Sequence, residues 1–127
     1  MDIRSQILQA DDLPTEKVEV PEWGVTVYVR MMSGRDRDLF EAQQLALSEK
    51  DKALENFRAR LAVLCCVDEE GKRIFKDGDI AALGDKSGMA LNKVYGVASR
   101  LNKMTEEAIE ETKKPSLKAV GKGSTSG

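Results

Sequence analysis

The sequence contains no histidine, the side chain that most often serves as a general base or a metal ligand. Catalytic triads built on imidazole are therefore excluded. The carboxylate spacing of a calcium loop and the glycine spacing of a phosphate loop are missing as well. We predict that the chain is not an enzyme and that it holds no metal and no cofactor.

Long apolar runs and dispersed cysteines are also missing. The longest apolar run, residues 61–67, is far shorter than the ~20 residues that a membrane-spanning helix requires. The first 14 residues lack the basic start and apolar stretch of a secretion signal. Cys65 and Cys66 are adjacent, unlike the cysteines of a disulfide framework, so we interpret them as buried reduced thiols. We expect a cytosolic protein that does not enter a membrane.

Aromatic residues are scarce, at 5% of the 127 residues, whereas charged residues make up 33% and hydrophobic residues 41%. This balance is typical of one globular domain with strongly charged helix faces. The formal net charge is −2 and the two signs are interleaved. No large basic field is available to hold nucleic acid, and we predict that none is bound.

The strongest local pattern surrounds the single tryptophan. Residues 17–20 and residues 25–32 both alternate apolar and polar side chains, which predicts two strands. Between them, Pro21 supplies a fixed φ and Gly24 a positive φ, as a four-residue turn requires. We therefore predict a β-hairpin whose turn carries Trp23.

Helices are predicted on both sides of this hairpin. Residues 2–10 form a short helix with apolar residues on one side. After the hairpin, Ser33 is the expected N-cap of a helix that starts near residue 35, and Asp51 is the expected N-cap of a second helix. The apolar seam of this second helix consists of Leu54, Phe57, Leu61 and Leu64.

A second hairpin and two more helical segments are predicted further along. Residues 65–75 contain a Glu-Glu-Gly turn between two short apolar stretches. A short helical turn is expected to end at Gly84 in a left-handed conformation. Ser87 opens the last helix, in which Gly96 marks either a close-packing point or a kink. The apolar face of that helix consists of Leu91, Val94, Tyr95, Ala98 and Leu101.

These elements predict an α+β fold in which one or two small β-hairpins pack with about four α-helices. A single domain is expected over residues 1–112, with residues 1–14 as an N-terminal helical arm and a further helical turn from residue 105. Residues 113–127 are rich in glycine, serine and lysine. This composition predicts a disordered tail.

With catalysis, metal binding and nucleic-acid binding excluded, apolar surface is the remaining feature through which the chain could bind a partner. Trp23 lies in a turn, where burial is hardest, and Met31 and Met32 bring adaptable thioethers to the end of a strand. Ordinary packing of a small sheet on helices explains these residues most simply. A partner-binding or self-association surface is the alternative, because a two-stranded sheet leaves open edges. The candidate contact residues are Trp23, Val25, Tyr28, Arg30, Met31, Met32, Phe40, Leu54 and Phe57.

Several short segments of the sequence together form a recognisable pattern. They are DDLPT at 11–15, VEVPEWG at 18–24, VR at 29–30, SGRDRD at 33–38, FE at 40–41, RLAVL at 60–64, CVDEEGK at 66–72 and the segment 75–83. With these segments the chain resembles one protein family, the small tail assembly chaperones of long-tailed bacteriophages and prophages. The resemblance covers roughly residues 11–112 and includes no catalytic signature.

The resemblance implies a role without catalysis. Proteins of this family are expected to bind and solubilise the tape measure protein, to self-associate along it, and to promote assembly of the tail tube around it. It also implies a frameshift-extended form that binds the tail tube protein, for which Gly121 and Lys122 are compatible with a slippery codon pair. The expected location is the host bacterial cytoplasm and not the mature virion.

A different class of function stays open from the sequence. A small helical adaptor or regulatory module that binds one folded protein partner would share the same composition and the same elements. Such a module would be a monomer or dimer without affinity for extended apolar helices. Oligomeric mass and binding to a helical client distinguish the two hypotheses.

Overall fold

Residues 2–104 are described by a computed structural model. Five α-helices and three β-strands follow one another within them: α1 Ile3–Gln9, β1 Thr15–Val20, β2 Val25–Arg30, α2 Gly34–Glu49, α3 Phe57–Cys65, β3 Cys66–Val67, α4 Ile80–Gly84 and α5 Gly88–Leu101. Single 3₁₀ turns cover Pro21–Trp23 and Asp77–Asp79. The predicted turn from residue 105 and the predicted tail lie outside the described residues. The predicted α+β class is confirmed.

The three strands form one antiparallel sheet in the order β1-β2-β3. The predicted hairpin is confirmed, with Thr15 opposite Arg30 at one end and Val20 opposite Val25 at the other. Its turn is the 3₁₀ segment Pro21–Trp23, closed by Gly24 at a φ of 67°. This positive φ is the reason for a glycine at that position.

The sheet has an inner and an outer face because side chains alternate along each strand. The inner face carries Val20, Val27 and Val29, which are buried, and it packs against α3 and α5. The outer face carries exposed or half-buried side chains, which are Thr15, Lys17, Glu19, Thr26, Tyr28 and Arg30.

Helix α3 lies at the centre of the core. Eight of its nine residues are buried, all except Arg58, and it packs against both α4 and α5. The apolar run 61–67 is the body of α3 continued into β3. Among residues 2–104, no helix combines the length and the apolar character that crossing a membrane demands.

Two of the predicted helix starts are confirmed and one is wrong. Ser33 caps α2 by accepting a hydrogen bond from the backbone N–H of Asp36 at 3.1 Å, and Ser87 caps α5. Asp51, predicted as an N-cap, instead lies at a φ of 59° in the irregular connection 50–56, and α3 begins six residues later at Phe57. Within this connection, the Ala53 carbonyl accepts hydrogen bonds from the buried side chains of Gln44 and Arg60 and is satisfied without a helical bond.

The predicted second hairpin is only partly present: its turn forms, but only one isolated β-bridge joins the two sides. Asp68 accepts hydrogen bonds from the N–H groups of Glu70 at 2.8 Å and Lys72 at 3.0 Å. The bond from the Lys72 N–H is the main cause of a lowered pKa of the Asp68 carboxyl. Beyond the turn, Val67 makes an isolated bridge to Arg73, and no return strand follows within the described residues.

The prediction for Gly84 is wrong, and so is the close-packing alternative for Gly96. Gly84 is the last residue of α4 and has no positive φ; a Cβ there would overlap Oδ1 of Asn56. Gly84 is therefore explained by close approach rather than by a left-handed cap. A Cβ added at Gly96 would meet no packing neighbour within 4 Å, and α5 continues through this residue.

Candidate partner-binding surfaces

Three of the predicted contact residues belong to the core. Met32, Phe40 and Phe57 are buried, and the two phenyl rings meet edge to face with centroids 5.6 Å apart. Strand β2 ends at Arg30, so the alternation stops and Met32 turns inward, where its N–H donates to Oδ1 of Asn102 at 2.9 Å. We therefore revise these three residues to structural ones.

The other six predicted contact residues are at least partly exposed to solvent, but they do not form one patch. Trp23 and Val25 lie at the turn of the hairpin, and Arg30 and Met31 lie at its opposite end. Five residue steps at about 3.3 Å each separate the two ends, or roughly 17 Å. Tyr28 lies between them on the outer face, and Leu54 lies far along the chain in the connection 50–56. Whether these residues touch a partner stays a prediction.

The hairpin turn is held against α5. The indole of Trp23 packs on the core while its Nε1 has no hydrogen-bond partner in the structure. Beside it, the carboxylate of Glu22 accepts from Nζ of Lys93 at 3.0 Å. Its own backbone N–H, and then Lys93, lower the pKa of the Glu22 carboxyl. The turn is thereby fixed in place with Val25 exposed.

An open groove of about 830 Å³ crosses the outer face of the sheet. It is lined by Tyr28 and the nearly fully buried Val67 of the sheet and by Leu13 and Pro14 from the segment before β1. The turn after β3 forms the other wall. We call this feature the outer groove. Of the predicted contact residues, it brings together Tyr28 and Arg30.

Helix α2 has two polar residues among its three buried ones, and two of its three leucines are exposed. Its buried residues are Phe40, Gln44 and Ser48, which follow one another at intervals of four. On the opposite side, Leu39 is 40% exposed and Leu45 is 52% exposed, with exposed Ala42 and Ala46 between them. This outward face was not predicted from the sequence. Both faces have helical spacing, so the pattern alone does not tell which one is buried.

Helix α1 presents a second unburied apolar face. Ile3, Ile7 and Leu8 are 72%, 65% and 67% exposed, and no residue of α1 is buried. Asp2 caps this helix by accepting from the N–H of Ser5 at 2.8 Å, a bond that lowers the pKa of the Asp2 carboxyl. The predicted helix over residues 2–10 is confirmed, and its apolar side faces solvent.

The chain was compared with models of known protein families. The model described as phage tail assembly chaperone matches residues 3–115, which is most of the chain. The protein belongs to the phage tail assembly chaperone family. The resemblance noted from the sequence is thus confirmed at the level of the family.

The fold of this tail assembly chaperone also agrees with a solved structure. The tail assembly chaperone of bacteriophage HK97 matches with a TM-score of 0.54 and 18% sequence identity, over 77% of this chain and 95% of the other. At this identity the likeness concerns the fold. Among curated proteins, no sequence matches the chain.

The two cysteines of this tail assembly chaperone lie in its core. Cys65 and Cys66 are free and buried, as predicted, and burial raises the pKa of each thiol to about 12. Within residues 2–104, no three histidine, cysteine or acidic side chains cluster in a way that could hold a metal ion.

Arg60 is the one buried cation among the described residues. Its guanidinium donates to the Ala53 carbonyl at 3.0 Å, to Oε1 of Gln44 and to the Glu55 carbonyl. Burial lowers the pKa of Arg60 from its ordinary value. Gln44 in turn donates from Nε2 to the Ala53 carbonyl at 3.0 Å. These bonds tie α2, α3 and the connection 50–56 together.

Proposed function

We propose that this protein binds the tape measure protein of a long-tailed phage, keeps it soluble, and promotes assembly of the tail tube around it, without catalysis. Membership of the tail assembly chaperone family supplies the general role. The observation that carries the proposed client binding is the outward face of α2, with Leu39, Ala42, Leu45 and Ala46 exposed over a buried polar side.

An outward apolar helix face is suited to a helical client. Amphipathic helices bind apolar surfaces through side chains spaced three and four residues apart, the spacing that this face itself presents. Fully burying one leucine contributes about 1.5–3 kcal/mol, and roughly half of each leucine side chain here is still available. The exposed Ile3, Ile7 and Leu8 of α1 add a second surface of the same chemistry.

Solubilising a long client also requires many copies of the chaperone. We assign self-association to the turn end of the hairpin, where Trp23 is half-buried and Val25 is exposed, and to the edge of β1. This work takes place in the host bacterial cytoplasm, and the protein leaves before the virion is complete. Recruitment of the tail tube protein by a frameshift-extended form belongs to the same proposal.

Co-expression with overlapping fragments of the tape measure protein tests client binding. Size-exclusion chromatography should show a soluble complex that is lost when Leu39 and Leu45 are changed to serine. The matched control changes Ile74 and Met89 to serine, which are also exposed apolar residues but lie off this face. Client that aggregates even with the unmodified chaperone would contradict the proposed function.

Light scattering of the purified chaperone tests self-association. Val25→Glu should lower the oligomeric mass, because it places a charge in the turn-end contact without disturbing the core. Thr26→Glu is the control on the outer face of the same strand, also exposed. An unchanged mass for Val25→Glu would refute the turn-end assignment while leaving client binding untouched.

A further inference from the structure

Strand β1 forms an open edge of the sheet. It has six residues, and on the side away from β2 no strand pairs with it among residues 2–104. The opposite edge, β3, has two residues and is partly covered, because Val67 bridges to Arg73 and the Cys66 carbonyl accepts from the N–H of Ile74 at 3.2 Å. An open edge is a template for a further strand. Strand β1 is therefore where another chain can extend the sheet.

The hydrogen bonds of the hairpin fix which residues of β1 face outward. The N–H of Met31 donates to the Pro14 carbonyl at 2.9 Å, so these two residues form a hydrogen-bonded pair. Hydrogen-bonded and non-hydrogen-bonded pairs alternate along an antiparallel ladder. Counting along the register, the backbone groups of Thr15, Lys17 and Glu19 therefore point away from β2, to the open edge.

The outward groups of Lys17 and Glu19 are available to a partner. In the part of the chain that the structure describes, these N–H and C=O groups have no hydrogen-bond partner. Both side chains are exposed, and neither takes part in an ion pair within residues 2–104. The edge thus presents a cation and an anion two residues apart, each beside free backbone groups.

This spacing makes the edge complementary to the same edge of a second copy. In an antiparallel pair of β1 strands with the two-fold axis at Val18, Lys17 of each copy lies opposite Glu19 of the other. Opposite charges directly across such a pair stabilise it. Because these residues also direct their backbone groups outward, each Lys17–Glu19 pair can exchange both N–H···O bonds. One arrangement therefore satisfies the backbone and the charges of both copies.

The inner face of the same arrangement is apolar at its centre. Val18 is half-buried and packs at the margin of the core. On the axis it meets Val18 of the second copy, and removing this apolar surface from water favours association. Glu16, which lies opposite Val20 in this register, keeps its ion pair with Arg100 at 2.6 Å. No unpaired carboxylate is therefore brought to the inner side of the seam.

The neighbouring registers are disfavoured by charge. With the axis at Lys17, the two ammonium groups face each other, and like charges directly opposite are destabilising. Val18 then faces Glu16 of the second copy instead of another valine. An axis at Glu16 or at Glu19 sets two carboxylates opposite each other. The order of charges along β1 thus selects the register centred on Val18.

We infer that two copies of this chain pair antiparallel through β1, with the two-fold axis at Val18 and Lys17 of each copy opposite Glu19 of the other. The inference rests on the self-association proposed above and specifies the contact at one of its two surfaces; it requires no client. Each copy offers one β1 edge, so this pairing closes at two copies. Larger assemblies then grow through the turn end of the hairpin.

Charge-reversal variants of the full chain test the register. Lys17→Glu and Glu19→Lys each set like charges opposite one another, and each should raise the dissociation constant of the pair at least about tenfold in analytical ultracentrifugation. The double variant Lys17→Glu with Glu19→Lys restores opposite charges and should return the constant to near its original value. Lys52→Glu, an exposed position away from the sheet, is the control for net charge and should have no effect. Circular dichroism shows that each variant is folded.

Disulfide cross-linking tests the position of the axis independently. Val18→Cys introduces a thiol on the axis, where opposite Cβ atoms lie about 4.5–5.5 Å apart, close to the span of a disulfide. Mild oxidation should therefore give a covalent dimer. Lys17→Cys should cross-link only when mixed with Glu19→Cys chains. The native cysteines are buried and supply no background.

Three results overturn the inference, and they differ in what else they refute. An unmodified chain that stays monomeric at every concentration refutes the proposed self-association as a whole. Oligomers that resist the charge reversals but dissociate in Val25→Glu exclude the β1 pairing and leave the turn-end contact. Cross-linking of Lys17→Cys chains with one another refutes the register centred on Val18. Binding of tape measure fragments is measured separately and is not decided by any of these results.

Discussion

Replacing Arg60 by methionine tests whether buried polar side chains hold the connection between α2 and α3. Arg60 is 6% exposed and donates to three acceptors. Methionine keeps most of the aliphatic stem beside the ring of Phe57 and removes only the guanidinium. The variant therefore isolates the hydrogen bonds from the packing.

The expected loss of stability depends on which hydrogen bonds each acceptor keeps once the guanidinium is removed. Oε1 of Gln44 is buried and loses its donor, which costs about 1–3 kcal/mol. The Ala53 carbonyl keeps the bond from Nε2 of Gln44, and the carbonyl of the exposed Glu55 is accessible to water. We expect the free energy of unfolding to fall by about 2 kcal/mol, or Tm by about 8 °C in a domain of this size.

Urea unfolding measures this loss of stability. A double-mutant cycle with Gln44→Leu shows how much of it belongs to the contact between Gln44 and Arg60. Removing both partners should cost about 1–2 kcal/mol less than the sum of the two single changes, because neither side chain is left alone. Arg58→Met is the control on the exposed side of α3; its guanidinium lies 5.0 Å from the Tyr95 ring centroid, and we expect a loss below about 1 kcal/mol. Additive single effects, or equal losses for the two arginines, would refute the reasoning.

Two substitutions test single contacts, and a thiol-labelling experiment tests the burial of the cysteines. Asn102→Ala should lower the free energy of unfolding by about 2 kcal/mol, because the buried N–H of Met32 loses its acceptor; a loss under about 0.5 kcal/mol in urea unfolding would contradict this. Gly84→Ala should lower Tm through overlap with Asn56, and adding Asn56→Gly should recover it, because that glycine also suits a φ of 52°; no recovery would show that the overlap is not the cause. At pH 8 and a thiol pKa of about 12, only about one thiolate in 10⁴ is present, so the two cysteines should react with a thiol reagent only after denaturation; rapid reaction of the native chain would mean that they are accessible.

The elements predicted correctly are those whose determinants lie close together in sequence. The hairpin depends on Pro21 and Gly24 within its own turn, and the starts of α2 and α5 depend on a serine three residues from the N–H it accepts from. The prediction for Met32 failed because its backbone N–H donates to Asn102, which is 70 residues away in the sequence. The prediction for Asp51 failed at shorter range, where the Ala53 carbonyl accepts from the side chain of Arg60 seven residues later.

The candidate surface was predictable only in part for the same reason. Strand alternation correctly put Tyr28 and Arg30 on the outer face, where both are half-buried. It put Val25 on the same face as the buried Val27 and Val29, and Val25 is exposed because it lies at the turn end of the strand. The outward face of α2 was missed because its leucines and its buried residues have equivalent helical spacing. The burial of Gln44 was not predicted, and it is explained by the hydrogen bond that its Oε1 accepts from Arg60.

This pairing connects the stability of the protein to its proposed client binding. Gln44 must face inward to meet Arg60, and at 100° per residue that orientation turns Leu39, Ala42 and Ala46 away from the core. In Gln44→Leu with Arg60→Met, the polar contact that favours this orientation is gone and Phe40 is the main side chain that still holds the buried side of α2 inward, so α2 is less constrained against turning its outward face towards the core. We expect the double variant to stay folded but to lose the soluble complex with tape measure fragments, although Leu39 and Leu45 are unchanged. Retention of the complex at full strength would show that the Gln44–Arg60 contact does not set the exposure of the client-binding face.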